Sequence, residues 1–171
     1  MQNLNETDDR RSLVMSEMMT PEKANFAGNI HGGYLLQLLD KIAYACAARY
    51  SGHYVVTLSV DQVLFKCPIH IGELITCYAN INYVGRTSME VGIKVVSENL
   101  ETGKTRHTNS CYFTMVALDK KSKPVTVKPL ELRSNLDHRR NEEAIIRKEI
   151  ALSFSQEHER RKQILRERFK K

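Results

Sequence analysis

One stretch of the chain constrains its fold more than any other, because it predicts a single long helix with one apolar face. After the tripeptide His31-Gly32-Gly33, apolar side chains recur at the spacing i, i+3, i+4, i+7, the period of an amphipathic helix. They are Tyr34, Leu35, Leu38, Leu39, Ile42, Ala43, Cys46 and Ala47. The pattern ends near Ser51-Gly52, with the cation of Arg49 in the last turn, where it suits the helix dipole. An apolar face of this length has to be buried against another layer of structure.

A single carboxylate, Asp40, interrupts this apolar face between Leu39 and Ile42. A carboxylate among leucines is costly unless it is paired or used in chemistry; the alternative is that it turns to solvent beside Lys41. The two glycines at the helix start favour a functional interpretation, since glycine costs about 1 kcal/mol relative to alanine inside a helix. Bare backbone N–H groups at the positive end of the helix dipole allow a ligand to approach closely. Tight packing of the helix against a sheet would also require glycine.

The segments around this helix predict an antiparallel sheet. A short apolar segment at residues 12–19 precedes the helix, and four segments of alternating side chains follow it. These predicted strands are Tyr54–Lys66, Glu73–Tyr83, Thr87–Glu98 and Lys104–Asp119. We expect the core to contain Val56, Leu58, Val60 and Leu64, alternate residues from Ile75 to Tyr83, and alternate residues from Met89 to Val95. The order β–α–β–β–β–β, with short connections, predicts an α+β fold in which the sheet wraps around the helix.

The composition limits the location and chemistry of the protein. The 171 residues suffice for one domain with a substantial core, and they contain no run of about 18 apolar residues for a membrane span. The first nine residues are polar and acidic, unlike a secretory signal or a basic transit peptide, so we expect a cytoplasmic protein. The six histidines have no metal-binding spacing, and we expect no metal. Four scattered cysteines are typical of reduced core residues: Cys46, Cys67, Cys77 and Cys111.

The basic charge of the chain is concentrated in its last segment. From His138 to Lys171 there are 11 Lys or Arg and 6 Asp or Glu, a net charge of +5 out of +6 for the whole chain. The residue types predict a helix. We favour a solvated helix that packs lightly on its own or a neighbouring subunit over a basic surface for a phosphorylated ligand. We expect no nucleic-acid partner, since no recognition motif is present. The predicted organisation is a flexible N-terminus at 1–11, a main domain at 12–130 and a basic helical extension at 131–171.

Three motifs resemble those of a known enzyme family. They are Asn25-x-x-Gly28-x-x-His31-Gly-Gly followed by Asp40, then Val84–Val91, then Thr105–Asp119. With these motifs in the family's order, the chain resembles the hotdog-fold acyl-CoA thioesterases, above all the bacterial branch related to brain acyl-CoA hydrolase. The likeness runs from about Val14 to Pro129. It implies the hotdog fold, in which the central helix is the sausage and the sheet is the bun.

The resemblance implies hydrolysis of acyl-CoA to a free fatty acid and CoA, with no cofactor beyond the CoA of the substrate. It implies that Asp40 activates water or attacks the thioester directly, and that Asn25 orients the water or the thioester. The backbone N–H of Gly32 would bind the carbonyl oxygen, and His31 and Gly33 would help to bind the substrate. Thioester hydrolysis does need a nucleophile and a donor aimed at the developing oxyanion. A carboxylate in partly apolar surroundings also has the raised proton affinity of a general base.

The resemblance further implies that the turn Arg86-Thr87-Ser88 meets the CoA phosphates. It implies dimers whose sheets join edge to edge, commonly gathered into trimers of dimers. Helix geometry supports a site shared between chains, because Gly32 and Asp40 are eight residues apart, about 12 Å along a helix axis. Two groups so far apart cannot easily touch the same carbonyl. We therefore expect Asn25 and Gly32 of one chain to act with Asp40 of another across a two-fold axis.

Several of these residues also have simpler interpretations. Asn25 is a common turn residue, His31 suits the start of a helix, and Arg86 in a hairpin is by default a solvated charge. His107 and Asn109 alternate with apolar residues on the last predicted strand. We expect them to satisfy interior polar groups, and we leave them out of the catalytic set.

Two other functions are alternatives to hydrolysis. A hotdog dehydratase places a catalytic histidine against an acid on the partner helix, whereas the predicted helix has no histidine after His31. A non-catalytic acyl-CoA sensor of the known kind carries a DNA-binding segment ahead of the fold. Only about a dozen residues precede the first predicted strand, too few for a helix-turn-helix. The sequence therefore favours the hydrolase.

Overall fold

The computed structural model describes residues 10–170 and contains the predicted sheet and central helix. Five strands form one antiparallel sheet in the order β1-β3-β4-β5-β2, and helix α1 packs against it. The elements are β1 (Ser12–Met18), α1 (Gly32–Ser51), β2 (Tyr54–Val60), β3 (Glu73–Val84), β4 (Ser88–Asn99), β5 (Lys104–Leu118) and α2 (Asn135–Arg168), with a short 3-10 turn at Pro21–Lys23. The predicted α+β hotdog architecture is confirmed.

Helix α1 is stabilised by the apolar face that its sequence predicts. Its buried side chains are Leu35, Leu38, Leu39, Ile42, Ala43, Cys46 and Ala47. Each Leu or Ile so buried stabilises the fold by about 1.5–3 kcal/mol. The helix ends at Gly52, whose φ of 71° is left-handed, a conformation that glycine adopts without strain. Asp40 is a correction: we expected partly apolar surroundings, but its side chain is exposed in the single chain, because one helical step of about 100° carries it off the face of Leu39.

The alternation predicted for the two middle strands is confirmed. Ile75, Cys77, Ala79 and Ile81 of β3 are buried, as are Met89, Val91, Ile93 and Val95 of β4. The one exception is Tyr83, which is half-buried, because a register shift between Ile81 and Tyr83 turns the end of β3. These side chains and the inward residues of β5 form one core with α1.

Strand β2 is shorter than predicted and has a different register. It ends at Val60, and residues 61–68 are a loop rather than the rest of a strand. The buried residue is Val55, whereas Leu58 is 68% exposed and Leu64 is 54% exposed. The reason is that Val55 and Thr57 lie opposite the buried Ala117 and Met115 of β5, so Val56 is on the other face, and a register shift follows at Leu58; the strand also pairs with β5 alone, at the edge of the sheet, and ends before Leu64. The predicted core positions of Val56, Leu58, Val60 and Leu64 are therefore wrong for the single chain.

Helix α2 belongs to a second compact unit, which begins at Glu131, whereas the first unit ends at Leu130. The predicted helix in the basic segment is confirmed, and a capping box begins it: Asp137 N–H donates to the Ser134 hydroxyl, and Ser134 N–H donates to the Asp137 carboxylate. No helix within residues 10–170 is both long enough and apolar enough to cross a membrane. The predicted flexible N-terminus at 1–11 lies mostly outside the described residues.

Candidate active site

The N-terminus of α1 is capped by His31, and this cap decides which backbone donors remain available. The Nδ1 atom of His31 accepts the N–H of Gly33 at 3.0 Å, so the ring hydrogen is on Nε2. A Cβ atom on residue 33 would lie only 3.2 Å from that Nδ1, which explains the second glycine. The Gly33 N–H is thus already used by the cap, and the expected help of Gly33 in binding the substrate stays a prediction. The N–H of Gly32 has no acceptor among the described residues.

The aromatic ring of Phe65 borders Gly32. A Cβ atom placed on Gly32 would lie 3.5 Å from two carbon atoms of that ring, an ordinary van der Waals distance. Phe65 belongs to the loop that follows β2, and it is 50% exposed. The alternation of residues 54–66 predicts a strand at Phe65, so sequence reasoning misses this contact. Nothing in the alternation of residues 54–66 distinguishes a loop that crosses the start of a helix from the end of a strand.

The side chain of Asn25 holds the turn that precedes α1. Its Oδ1 accepts the N–H of Ala27 at 2.9 Å and the N–H of Asn29 at 3.2 Å, and the turn passes through Gly28 with φ of 77°. Two backbone donors fix the identity of the amide oxygen, since only an oxygen can accept them. No acceptor for Nδ2 lies within residues 10–170. Asn25 is therefore both the predicted turn residue and a remaining N–H donor.

The carboxylate of Asp40 is paired with an unpredicted residue on the edge strand. Thr57 Oγ1 donates to Asp40 Oδ1 at 2.6 Å, and the same hydroxyl lies 3.6 Å from Met115 Sδ. Asp40 Oδ2 has no donor in the part of the chain that the structure describes. The pair borders an open cavity of about 310 Å³, whose walls include the rings of Tyr44 and Tyr54. The alternation of Val55 with Thr57 could have indicated this pairing if Val55 had been assigned to the core.

The turn Arg86-Thr87-Ser88 is fixed by its backbone and leaves its cation exposed. Gly85 N–H donates to the Ser88 carbonyl at 2.8 Å, which closes the connection between β3 and β4. The carbonyls of Arg86 and Thr87 accept from Val127 and Ala117, each at 3.0 Å. The Arg86 side chain pairs with no carboxylate among residues 10–170. An exposed guanidinium on an anchored turn suits an anionic ligand.

Within one chain the Asn25 turn and the turn Arg86-Thr87-Ser88 lie at opposite ends of the sheet. The Asn25 turn is joined through His70 to the start of β3. Thr57 belongs to a row of paired residues that reaches the end of β3, next to the turn Arg86-Thr87-Ser88. With 12 residues, β3 spans about 36 Å. The structure therefore brings Asp40 close to Thr57 but does not bring the Asn25 turn and the Arg86 turn together.

Metal binding and the three buried thiols offer no competing site among residues 10–170. No three His, Cys, Asp or Glu side chains are grouped so that they could hold a metal ion. Burial raises the pKa of Cys46, Cys77 and Cys111 to about 12, which makes these thiols inert as nucleophiles near neutral pH.

Residues 27–104 match the family model of the thioesterase superfamily. Protein VdlD of Helicobacter pylori is 52% identical over 85% of this chain and 83% of its own length. A solved apo-hexameric acyl-CoA thioesterase is 34% identical with a TM-score of 0.82, over 85% of this chain and 94% of that chain. The chain belongs to the thioesterase superfamily.

A second solved thioesterase is the acyl-CoA hydrolase of Staphylococcus aureus in complex with butyryl-CoA and CoA. It is 27% identical with a TM-score of 0.82, over 91% of this chain and 95% of that chain. Three single alanine variants of the same enzyme have also been solved. They replace an asparagine, an aspartate fifteen residues after it, and a threonine seventeen residues after the aspartate. The present chain has the same three residue types at the same spacing, as Asn25, Asp40 and Thr57.

Proposed function

We propose that the protein is an acyl-CoA thioesterase that hydrolyses acyl-CoA to a free fatty acid and CoA. The observation that carries this proposal is its likeness, over nearly the full length of the other chain, to solved acyl-CoA thioesterases. The candidate site agrees with that chemistry, because it offers one carboxylate and two N–H donors without acceptors. We expect the reaction to need no cofactor.

The carboxylate of Asp40 is the reactive group in this proposal. As a base, it takes a proton from water while the water oxygen attacks the thioester carbonyl carbon; the carbon–sulfur bond then breaks, and the proton goes to the departing thiolate. As a nucleophile, it attacks that carbon itself and the carbon–sulfur bond breaks to release the CoA thiolate; water then hydrolyses the anhydride to the fatty acid and the free carboxylate, and the proton it gives up goes to the thiolate. The hydrogen bond from Thr57 occupies Oδ1 and leaves Oδ2 for either role. Incorporation of ¹⁸O from labelled water into Asp40 over many turnovers would identify direct attack.

The oxyanion that forms during the reaction needs donors, which we assign to Gly32 and Asn25. The Gly32 N–H is at the positive end of the α1 dipole, where negative charge is stabilised. Asn25 can act only through Nδ2, since its Oδ1 accepts two backbone N–H groups. It therefore donates to the carbonyl oxygen or to the oxygen of the attacking water. His31 acts as the helix cap rather than as an acid or base.

We propose that two chains share each site, with Asn25 and Gly32 from one and Asp40 from the other. The exposed apolar side chains of β2, including Tyr54 and Leu58, support pairing of this edge with a second copy. The hexameric state named for a related thioesterase supports a trimer of dimers. Co-expression of Asn25→Asp with Asp40→Asn tests the sharing, because a mixed dimer regains one intact site. We expect about a quarter of wild-type activity from random pairing, whereas a site within one chain would regain none.

We further propose that Arg86, Thr87 and Ser88 bind the CoA phosphates. The support is the exposed cation on an anchored turn with two hydroxyl side chains. We also propose a cytoplasmic location, because the four cysteines are unlinked by disulfides, which is typical of a reducing compartment.

The decisive experiment is release of free thiol from acyl-CoAs of increasing chain length by wild type and by Asp40→Asn. We expect wild-type turnover and a loss of about 10³-fold in kcat in the variant, with acyl-CoA binding retained. Tight binding without turnover by the wild type would instead make the protein an acyl-CoA sensor.

A further inference from the structure

We propose that His70 is a positioning residue that fixes the Asn25 turn to the sheet. This inference rests on the proposed function, because it gives His70 a role in aiming the Nδ2 donor of Asn25. His70 lies in the turn before β3, outside every motif that carried the family resemblance.

The imidazole of His70 contacts the Asn25 turn directly. Its Nδ1 lies 3.0 Å from Asn29 Oδ1. Because a carbonyl oxygen only accepts hydrogen bonds, Nδ1 carries the hydrogen in this pair. The two residues also face each other in an isolated antiparallel bridge, and Ile30 N–H donates to the Ile69 carbonyl at 2.8 Å beside it. The side-chain bond thus reinforces a short backbone pairing between the two turns.

Asn29 transmits this contact to Asn25 through two hydrogen bonds. The Asn29 N–H donates to Asn25 Oδ1 at 3.2 Å, and the Asn25 N–H donates to the Asn29 carbonyl at 2.6 Å. A shift of Asn29 therefore changes both the backbone and the amide plane of Asn25. Since the amide oxygen is held on one side, the direction of Nδ2 follows from where Asn29 is held.

His70 itself is anchored to two strands by an ion pair. Its backbone N–H donates to Glu73 Oε2 at 3.1 Å. Arg106 of β5 donates to both Glu73 oxygens, at 2.6 and 2.8 Å, and its Nε donates to Ser97 Oγ of β4 at 3.0 Å. Glu73 is 5% exposed, so this pair is a rigid part of the sheet. A continuous set of hydrogen bonds leads from Arg106 to Asn25, and the bond made by the imidazole of His70 is the step that a substitution can remove alone.

Substitutions that mimic one or the other ring nitrogen show whether the Nδ1 hydrogen bond of His70 matters for turnover. In His70→Asn the amide N–H replaces Nδ1, whereas in His70→Gln it reaches the place of Nε2; His70→Ala has neither. We expect His70→Ala and His70→Gln to lower kcat about three- to tenfold, as for the loss of one hydrogen bond, with KM unchanged. His70→Asn should restore kcat. The control is His53→Ala, an exposed histidine just beyond the opposite end of α1, which should match wild type.

Amide hydrogen exchange of residues 25–30 provides a readout that does not depend on activity. The Ala27 and Asn29 amides should exchange faster in His70→Ala and His70→Gln than in wild type and His70→Asn. Unchanged exchange and unchanged kcat in His70→Ala would overturn the proposal, as would a raised KM with unchanged kcat. If Asn25→Asp is inactive while all His70 variants behave as wild type, this inference fails and the proposed function stands. If the exchange pattern appears but wild type hydrolyses no acyl-CoA, His70 does fix the Asn25 turn and the proposed function fails.

Discussion

Helices α1 and α2 are both long and well capped, but different interactions stabilise them. Seven of the 20 residues of α1 are buried, whereas Ala144 is the one buried residue among the 34 of α2. α2 depends on local contacts instead: its capping box and ion pairs such as Glu157 with Arg160 and Arg161, which lower the pKa of Glu157 to about 2. A helix that is held by buried side chains keeps its reactive groups at fixed positions relative to the sheet. A helix that is stabilised mainly by its own exposed ion pairs has no such constraint.

The chemistry of the thioesterase should accordingly depend on α1 and the residues that contact it. Its N-terminus provides donors, and the exposed side of its middle provides the carboxylate of Asp40. Substitutions near α1 should therefore have large effects on turnover, and substitutions on α2 should have small ones. Substitutions beside α1 and on the surface of α2 test this contrast.

The largest effect is expected from Asn25→Asp, at the turn before α1. Aspartate keeps an acceptor for the N–H groups of Ala27 and Asn29, so the turn should remain folded. It removes the Nδ2 donor and adds negative charge where an oxyanion develops. We expect kcat to fall by about 10²–10³-fold in thiol-release assays, with an unchanged melting temperature. Activity within threefold of wild type would show that Asn25 serves only as a turn residue.

The next effect is expected from Thr57→Val, which removes the hydrogen bond to Asp40 while keeping the shape of the side chain. A hydrogen bond to a charged group contributes about 1.5–3 kcal/mol, so kcat should fall about tenfold or more if the bond orients the carboxylate. Thr57→Ser keeps the hydroxyl and is the matched control. Equal loss in both variants would point to packing against Met115 rather than to the hydroxyl.

The contrast between α1 and β2 also explains how much the sequence could predict. The period of 3.6 residues on α1 is well defined, so the predicted helix and its ends are confirmed, as are seven of its eight predicted apolar positions; the eighth, Tyr34, is half-buried. On β2, a register shift after Thr57 and a single pairing partner interrupt the period of two. Leu58 and Leu64 were consequently assigned to the core although they are exposed.

The same limits apply to the candidate site. Asn25, Gly32 and Asp40 belong to one continuous motif, so the sequence alone identifies them as candidate site residues. The partners Thr57, Phe65 and His70 come from other segments, and their contacts depend on where β2 ends and how two turns meet. A single sequence contains no periodic signal for such contacts between irregular segments. The simpler interpretation of His31 as a residue at a helix start is confirmed, but its choice of the Gly33 N–H depends on a side-chain rotamer that the sequence does not specify.

A smaller effect, measured on stability, is expected from Glu73→Gln in the ion pair that anchors His70. Burial would raise the pKa of Glu73, but hydrogen bonds from Arg106 and the His70 backbone outweigh it and hold the pKa below its ordinary 4.5. The ion pair therefore stabilises the fold above about pH 5, and this stabilisation is lost as the pH falls through the lowered pKa.

We expect Glu73→Gln to cost about 1–3 kcal/mol at pH 7 and to flatten the loss of stability in acid, measured by denaturant unfolding. Glu157→Gln on α2 is the control. Its carboxylate has ion pairs of similar length but is exposed to solvent, and it should leave the unfolding free energy unchanged. Equal destabilisation by both substitutions would mean that burial does not decide the value of an ion pair here.

The smallest effect is expected from neutralising Arg160, Arg161 and Lys162 of α2 to glutamine. These residues are exposed, and the two arginines are already paired with Glu157, so a solvated helix predicts a KM for acyl-CoA within about twofold of wild type. Arg86→Gln is the positive control, because loss of a charged hydrogen bond to phosphate should raise KM about tenfold. A basic surface for the phosphates of the substrate makes the opposite prediction. Neutralisation would then raise KM and weaken its dependence on salt, since the screened attraction would be gone. That outcome would mean that α2 also binds the substrate, and the contrast between the two helices would no longer hold.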